Sequence, residues 1–178
     1  MFYVFLAEGF EEIEALTPVD ILRRAGVEVK TVGVTGKTVR GSHAIEVTAD
    51  LELSELHDSN PEAFILPGGM PGTRNLAASR ELCNLLASAK DSTLLCAICA
   101  APSVLGKLSL LEGKKATCFP GFEQELLGAE VQNAGVVTDG NVITGKGAGA
   151  AADFAFAIVE KVKGKRTAQS LRDTMCYQ

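Results

Sequence analysis

Cys99 is the residue best suited to chemistry in this sequence. It ends the apolar stretch LLCAIC at residues 94–99, and the small residues Ala100 and Ala101 follow at once, before Pro102. An apolar run of this length is typical of a buried strand, and small residues allow a strand to turn sharply into a helix. The pattern predicts a nucleophile elbow with cysteine in place of serine.

Such an elbow would place the Cys99 thiol beside unpaired backbone N–H groups at the start of a helix. We expect this environment to lower the pKa of the thiol and to raise its thiolate fraction near neutral pH. The N–H of Ala100 could also donate to an oxyanion beside the sulfur, with a second donor from Gly68-Gly69 at the end of an adjacent strand. The alternative is that Cys99 is a small buried residue, as most free cysteines are.

The other cysteines give no sign of disulfides or metal binding. Five cysteines are an odd number in a chain too large to need disulfides, which predicts reduced thiols in a cytoplasmic protein. Cys96 and Cys99 form a CxxC pair, but Cys96 lies within the predicted strand, whereas redox pairs usually start a helix. No second pair is present to complete a zinc site, so we predict no metal.

Composition narrows the class of protein. The chain has 178 residues, 47% of them hydrophobic and 22% charged, which indicates a globular domain with a sizeable core. The net charge of −5 offers no basic face for nucleic acid or an anionic membrane. The apolar N-terminus is brief and lacks a basic leader, so we predict neither a signal peptide nor a membrane span.

Short apolar runs alternate with segments of helical spacing along the chain. This alternation predicts an α/β fold with a mostly parallel central sheet covered by helices on both faces, in one domain over residues 1–178. Strands are predicted at Phe2–Leu6, Val27–Val34, Phe64–Leu66, Thr93–Ile98, Lys115–Cys118, Gly135–Thr138 and Asn141–Thr144, with a β arm at Ala44–Thr48. Helices are predicted at Glu11–Ala25, Leu76–Lys90, Ala100–Leu111, Ala150–Val162 and Lys165–Asp173.

Three segments together resemble the ThiJ/PfpI superfamily, in the branch that includes the Parkinson-associated protein deglycase. They are EGFEEIEALTPVDILRRAG at 8–26, LPGGMPG at 66–72 and AICAAP at 97–102, and GKGAG at 145–149 fits the same branch. The resemblance covers essentially the whole chain. It implies a flavodoxin-like three-layer sandwich, a homodimer, and Cys99 as nucleophile.

The resemblance also implies that Glu14 lies beside Cys99. A carboxylate would repel a thiolate, so the two groups must share one proton. A protonated Glu14 that donates to the sulfur would hold the thiolate at neutral pH, and it could later act as a base on a carbonyl adduct. For Glu11 and Glu12 we expect no more than a favourable interaction with the start of the helix.

Two departures from the family pattern weaken a Cys-His hydrolase interpretation. Phe119 stands where many relatives carry His, and Ala100 stands where others carry one. His57 is predicted to be a solvated loop residue, and the simpler interpretation of His43, in the β arm, is a spare surface histidine. The residues that could shape a pocket around Cys99 are Gly68, Met70, Phe119, Gly145, Gly147 and His43.

These residues favour a cofactor-free enzyme that acts on 2-oxoaldehydes such as methylglyoxal. Cys99 would attack the aldehyde carbon, the Gly69 and Ala100 amides would stabilise the oxyanion, and Glu14 would move a proton between carbons. A deglycase that acts on early glycation adducts would use the same steps. The alternative is a non-enzymatic oxidative-stress sensor or chaperone in which Cys99 is oxidised to a sulfinate. An amidase or peptidase is the least favoured.

Overall fold

The computed structural model describes residues 1–177. The strands there are β1 (Phe2–Leu6), β2 (Val29–Gly33), β3 (Thr38–Arg40), β4 (Glu46–Thr48), β5 (Leu51–Glu52), β6 (Ala63–Leu66), β7 (Leu94–Ile98), β8 (Lys115–Ala116), β9 (Glu130–Val131), β10 (Val136–Asp139) and β11 (Val142–Gly145). The helices are α1 (Glu12–Arg24), α2 (Gly72–Ala78), α3 (Arg80–Ala87), α4 (Pro102–Lys107), α5 (Ala151–Lys163) and α6 (Lys165–Thr174).

Seven strands form one sheet in the order β10-β11-β7-β6-β1-β2-β5. All neighbours in this sheet are parallel except the hairpin β10–β11, so the expected mostly parallel α/β fold is confirmed. Every residue of β1, β6, β7 and β11 is buried, as expected for strands covered on both faces. The carboxyl ends of β6 and β7 lie side by side and carry the Gly68 turn and Cys99.

Two hydrophobic clusters cover the two faces of the sheet and confirm the three-layer arrangement. One includes Leu22 of α1 and Phe154 of α5, and the other includes Leu86 of α3 and Leu105 of α4. Parallel neighbours need long crossover connections, which these helices supply. No helix within residues 1–177 has both the length and the apolar character needed to cross a bilayer.

The helix predicted over Leu76–Lys90 is wrong as a single element. The chain starts the helix earlier, at Gly72, and breaks it at Ser79, whose backbone is extended. The Ser79 hydroxyl accepts a hydrogen bond from the N–H of Leu82 at 3.3 Å and caps the second helix. Serine competes for backbone groups in this way, so helical periodicity alone does not reveal the break.

The helix predicted over Ala100–Leu111 is also wrong at both ends. Ala100 and Ala101 form the turn that leads into α4, and α4 itself covers only Pro102–Lys107. Ser109 has a φ of 59°, a left-handed conformation in which a helix cannot continue. The two-residue strands β5 and β9 are absent from the prediction, because two residues carry no detectable alternation.

Candidate active site

Cys99 follows β7 in a strained conformation. Its φ is 66°, in the left-handed region that a non-glycine residue rarely adopts and that costs roughly 1–3 kcal/mol. Two backbone hydrogen bonds hold it there: the Cys99 N–H donates to the Gly145 carbonyl at 2.9 Å, and the Cys99 carbonyl accepts from the Phe119 N–H at 2.8 Å. The expected elbow is therefore present, with its backbone fixed from both sides.

Glycine is required at position 68 because three chain segments meet there. A Cβ atom at Gly68 would lie 2.7 Å from the Cys99 Cβ and 2.7 Å from Glu14 Oε2, which is closer than real contacts allow. Gly69 has a φ of 89°, and a Cβ there would lie 2.4 Å from the backbone nitrogen of Glu11. These two glycines bring the β6 turn against both the elbow and the start of α1.

Glu14 is buried beside the elbow, in the first turn of α1. Its side chain is 1% exposed, and Oε2 accepts a hydrogen bond from the Gly68 N–H at 2.9 Å. The carboxyl of Glu14 also shares a hydrogen bond with the Cys99 thiol. Glu11 fixes the turn that carries Glu14, since its side chain accepts from the Glu14 N–H and its own N–H donates to the Gly68 carbonyl.

The pKa of the Cys99 thiol is raised, which is opposite to the expectation from sequence. Burial contributes most, and the charge and hydrogen bond of Glu14 add to it, so the pKa rises to about 12. The Gly69 and Ala100 N–H groups hydrogen-bond to the thiol and act in the expected direction, but they do not outweigh the other two causes. The expectation counted the helix start and ignored desolvation, which opposes any buried charge.

The pKa of Glu14 is raised as well, to about 7. Burial is the main cause; the hydrogen bonds to Cys99 and Gly68 oppose it, and the nearby charge of Glu11 adds to it. Two negative charges at Glu14 and Cys99 would repel each other, so the pair loses its first proton near pH 7 and keeps the second one into alkaline solution. Between these two steps the pair holds one proton and one negative charge.

The other predicted pocket residues divide into two groups. Phe119 is half exposed and packs near Gly147, where a Cβ would lie 3.3 Å from the Phe119 ring, and both belong to segments that border Cys99. Gly145 bonds to the Cys99 backbone, and a Cβ there would lie 2.9 Å from the side chain of Ile98. Met70 is exposed and lines a neighbouring cavity between α2 and α4, for which Cys99 is not a lining residue.

His43 lies on the surface and binds Glu12. Its Nδ1 is 2.9 Å from Glu12 Oε2 and 3.7 Å from Glu11 Oε1, and its ring is largely exposed. The hydrogen bond to Glu12 raises the pKa of His43. The groups that hydrogen-bond to the Cys99 sulfur are Glu14 and two backbone N–H groups, and neither histidine of the described chain is among them. A Cys-His dyad is therefore not formed within residues 1–177.

Glu12 has a role that the sequence does not reveal. It is 5% exposed and anchors the loop between β3 and β4, accepting hydrogen bonds from the His43 N–H at 2.8 Å and the Ser42 hydroxyl at 3.3 Å. Burial alone would raise the pKa of Glu12, but hydrogen bonds from the His43 side chain and from backbone N–H groups hold it below its usual value. One atom each of Glu11, Glu12 and His43 lie within 4.8 Å of one another, although hydrogen bonds already occupy the Glu12 oxygens.

Several further residues lie outside the site. Cys96 is fully buried in β7, and the cysteines within residues 1–177 are free. Arg23 pairs with Asp50 at 2.8 Å, and Arg24 pairs with Asp20 at 2.7 Å, so both arginines have partners within the chain. His57 is exposed, as predicted.

The fold and the site together define a class: α/β proteins with a cysteine at the elbow and a buried carboxyl in hydrogen-bond contact with it. The sequence model of the DJ-1/PfpI family matches residues 2–161. The chain therefore belongs to the DJ-1/PfpI family, as its resemblance to ThiJ/PfpI proteins indicated.

Relatives and solved structures agree with this assignment. Protein dj-1beta of Drosophila melanogaster is 36% identical over 172 residues, which cover 94% of this chain and 92% of that protein. The glutathione-independent glyoxalase DJR-1.2 of Caenorhabditis elegans is 31% identical, with 95% and 91% covered. The structure of oxidized DJ-1 from Toxoplasma gondii superposes with a TM-score of 0.94 at 32% identity and covers 99% of this chain and 97% of that one.

Proposed function

We propose that this protein is a cofactor-independent cysteine enzyme that converts 2-oxoaldehydes to 2-hydroxy acids, or acts on their early adducts with proteins and amino acids. The observation that carries the proposal is the placement of Glu14, buried beside the Cys99 sulfur at the elbow, where the two groups can share one proton. The glyoxalase name of the C. elegans relative supports the same class of reaction.

The negative charge is best accommodated on the sulfur. The Cys99 sulfur has two backbone N–H groups in hydrogen-bond contact, from Gly69 and Ala100, whereas the Glu14 carboxyl accepts one, from Gly68. Hydrogen bonds to the charged form favour that form, so the donor count supports the state in which Glu14 carries the proton. A thiolate is the reactive form of cysteine, and its partner in this state is an acid ready to donate.

The reaction follows from this arrangement. The Cys99 thiolate attacks the aldehyde carbon of methylglyoxal and forms a C–S bond, while the carbonyl oxygen takes up the negative charge near the two N–H donors and then a proton from Glu14. The Glu14 carboxylate next removes the proton from that carbon while the adjacent carbonyl oxygen takes up a proton, which gives an enediol. Glu14 then returns a proton to the adjacent carbon, and the hydroxyl beside the sulfur loses its proton. The product is a lactoyl thioester. Water hydrolyses the thioester to lactate and restores the thiol, so the sum is methylglyoxal plus water to lactate.

Lactate production from methylglyoxal without glutathione tests this proposal. We expect the purified protein to form lactate in the absence of any added thiol or metal, with stoichiometric loss of methylglyoxal. Prior alkylation with one equivalent of iodoacetamide, located on Cys99 by peptide mapping, should stop the reaction. If unmodified protein forms no lactate from methylglyoxal and releases no amine from a glycated N-acetyl amino acid, the proposal is wrong.

The same environment also suits an oxidised cysteine, which supports a second candidate function as an oxidative-stress sensor. A sulfinate at Cys99 would accept hydrogen bonds from the two backbone N–H groups and from protonated Glu14, and its formation consumes two equivalents of hydrogen peroxide. The similar Toxoplasma gondii structure is that of an oxidized DJ-1. We expect mild peroxide to add two oxygen atoms to Cys99 before it modifies exposed Cys176 or half-buried Cys83, as measured by mass spectrometry. Earlier modification of either reference cysteine would count against the sensor.

Two expectations from sequence stay predictions. They are the homodimer implied by the family resemblance and the cytoplasmic location inferred from reduced cysteines.

A further inference from the structure

The loop between β3 and β4 folds onto the start of α1 and brings His43 there. The Ser42 N–H donates to the Phe10 carbonyl at 2.8 Å, directly before the residues that begin the helix. A Cβ atom at Gly41 would lie 2.3 Å from Glu12 Oε1, so a larger residue at this position would displace the buried Glu12 carboxylate. These contacts fix the position of the loop relative to α1.

The titratable groups that face His43 within the described chain are two carboxylates at the start of α1. Its Nδ1 is 2.9 Å from Glu12 Oε2 and 3.7 Å from Glu11 Oε1, and among the ion pairs of residues 1–177 His43 is the only partner of either carboxylate. The Ser42 hydroxyl, 3.2 Å from Nδ1, adds no charge. The hydrogen bond and charge of Glu12, with a smaller contribution from Glu11, raise the pKa of His43 above that of a free histidine.

Glu11 connects His43 to the Glu14–Cys99 pair. Its Oε2 accepts a hydrogen bond from the Glu14 N–H at 2.9 Å, and its own N–H donates to the Gly68 carbonyl at 2.9 Å. The negative charge of Glu11 is one of the causes that raise the pKa of Glu14. A positive charge on His43, 3.7 Å from Glu11, therefore opposes this effect, because opposite charges at such a distance compensate each other.

We propose that protonated His43 is a positioning residue of the reaction: it holds the loop on Glu12 and compensates the negative charge of Glu11 beside the Glu14–Cys99 pair. With both carboxylates ionised, the three side chains outside the pair then carry one net negative charge, and loss of the His43 proton raises this to two. More negative charge nearby disfavours the thiolate, so the protonated imidazole favours it. The role in the reaction rests on the proposed function, whereas the charge effect on Cys99 does not.

The pH dependence of Cys99 alkylation by iodoacetamide tests this inference without turnover. In His43→Asn the side-chain amide can take the place of Nδ1 and donate to Glu12, but it carries no charge. We expect the midpoint of alkylation to rise by roughly 0.3–0.7 pH unit, a modest shift because the ring of His43 is largely exposed and screened by ions. His43→Arg keeps a positive charge and should leave the midpoint within about 0.2 pH unit of the parent.

Salt and a second histidine separate the charge effect from a structural one. At an ionic strength of about 1 M the Debye length falls to about 3 Å, so the difference between the parent and His43→Asn should shrink by at least about half. His57→Asn is the matched control, since His57 is an exposed histidine outside the ion pairs of Glu11 and Glu12. This control should leave the midpoint unchanged.

Activity should follow the same pH dependence. Below the midpoint, His43→Asn should lower kcat/KM for methylglyoxal about two- to fivefold, which is the loss of thiolate that this shift produces, and the two proteins should converge well above the midpoint. An unchanged alkylation midpoint in His43→Asn at low salt, or an equal rise in His43→Arg, would overturn the inference. Alkylation shifts in a protein that converts no methylglyoxal would support the effect of His43 on Cys99 and contradict only the proposed function.

Discussion

Replacement of Cys99 by alanine is expected to lower kcat/KM for methylglyoxal by at least roughly 10⁴-fold. The covalent route needs a sulfur, and the Glu14 carboxyl and the two backbone donors have no bound intermediate to act on without it. The measurement is lactate formation at several substrate concentrations, compared with the uncatalysed rate. Because alanine is smaller than cysteine and tolerates the same turn no worse, loss of folding is not the expected cause, and a circular dichroism melt verifies this.

The matched controls are Cys83→Ala and Cys176→Ala. Cys83 is half-buried, Cys176 is exposed, and both lie outside the elbow. These variants should therefore retain activity within a factor of about two of the parent. A Cys99→Ala protein that forms lactate as fast as the parent would exclude the proposed nucleophile. Equal loss in all three variants would instead indicate a general sensitivity of the fold to thiol removal.

The variant Glu14→Gln is expected to lower kcat by roughly 10²–10⁴-fold, the usual contribution of a positioned acid–base group. Glutamine can still accept the hydrogen bond from the Gly68 N–H, but it cannot donate a proton and take it back. In the parent, activity should rise with pH through an apparent pKa near 7, because the Glu14–Cys99 pair loses its first proton there. The variant should lack this ionisation, because burial still opposes the thiolate and no neighbouring carboxyl shares the proton.

Alkylation of Cys99 and unfolding give two readouts beyond activity. The rate at which iodoacetamide alkylates Cys99 should rise with pH around a midpoint near pH 7 in the parent, and around a higher pH in Glu14→Gln.

The pKa of Glu14 is raised from 4.5 to about 7, so the contribution of Glu14 to the free energy of unfolding is fully present below pH 4.5 and is lost as pH rises through 7. The loss amounts to about 3 kcal/mol for a shift of this size, and denaturant unfolding of the variant should not show it.

Asp20→Asn is the control for this prediction, since Asp20 is an exposed carboxylate on the same helix with a partner one turn away. It should leave the pH profile of activity unchanged. A parent enzyme whose alkylation rate rises only above pH 9 would contradict the assignment of the charge to sulfur.

The order of the strands and helices and the elbow at Cys99 could be predicted from the sequence, because both depend on residues that are close together in the chain. Apolar runs, helical spacing and small residues after Cys99 specify strands, helices and a sharp turn from neighbouring residues alone. The break in the helix at Ser79 could not be predicted, because a serine within a helical pattern is compatible with either a continuous helix or the cap of a new one. Here the cap prevails, and α2 and α3 are separate helices.

The electrostatics of the site could not be predicted from the same patterns. The raised pKa of Cys99 depends on burial and on the position of Glu14, which is 85 residues away in sequence and reaches the sulfur only because Gly68 leaves room. Glu12 is expected from sequence to favour the helix start, but it is buried and binds a loop that lies 30 residues further along the chain. Both facts depend on how distant segments pack, and no local signal encodes that.

The left-handed backbone at Cys99 makes thermal stability and reactivity compete at a single position. A side chain at this φ is strained, while glycine would adopt it freely. A descendant protein that no longer needed the thiol could thus gain thermal stability through the substitution Cys99→Gly. Retention of cysteine there keeps a strained conformation in every folded copy, and only selection for the chemistry of the sulfur compensates for that cost.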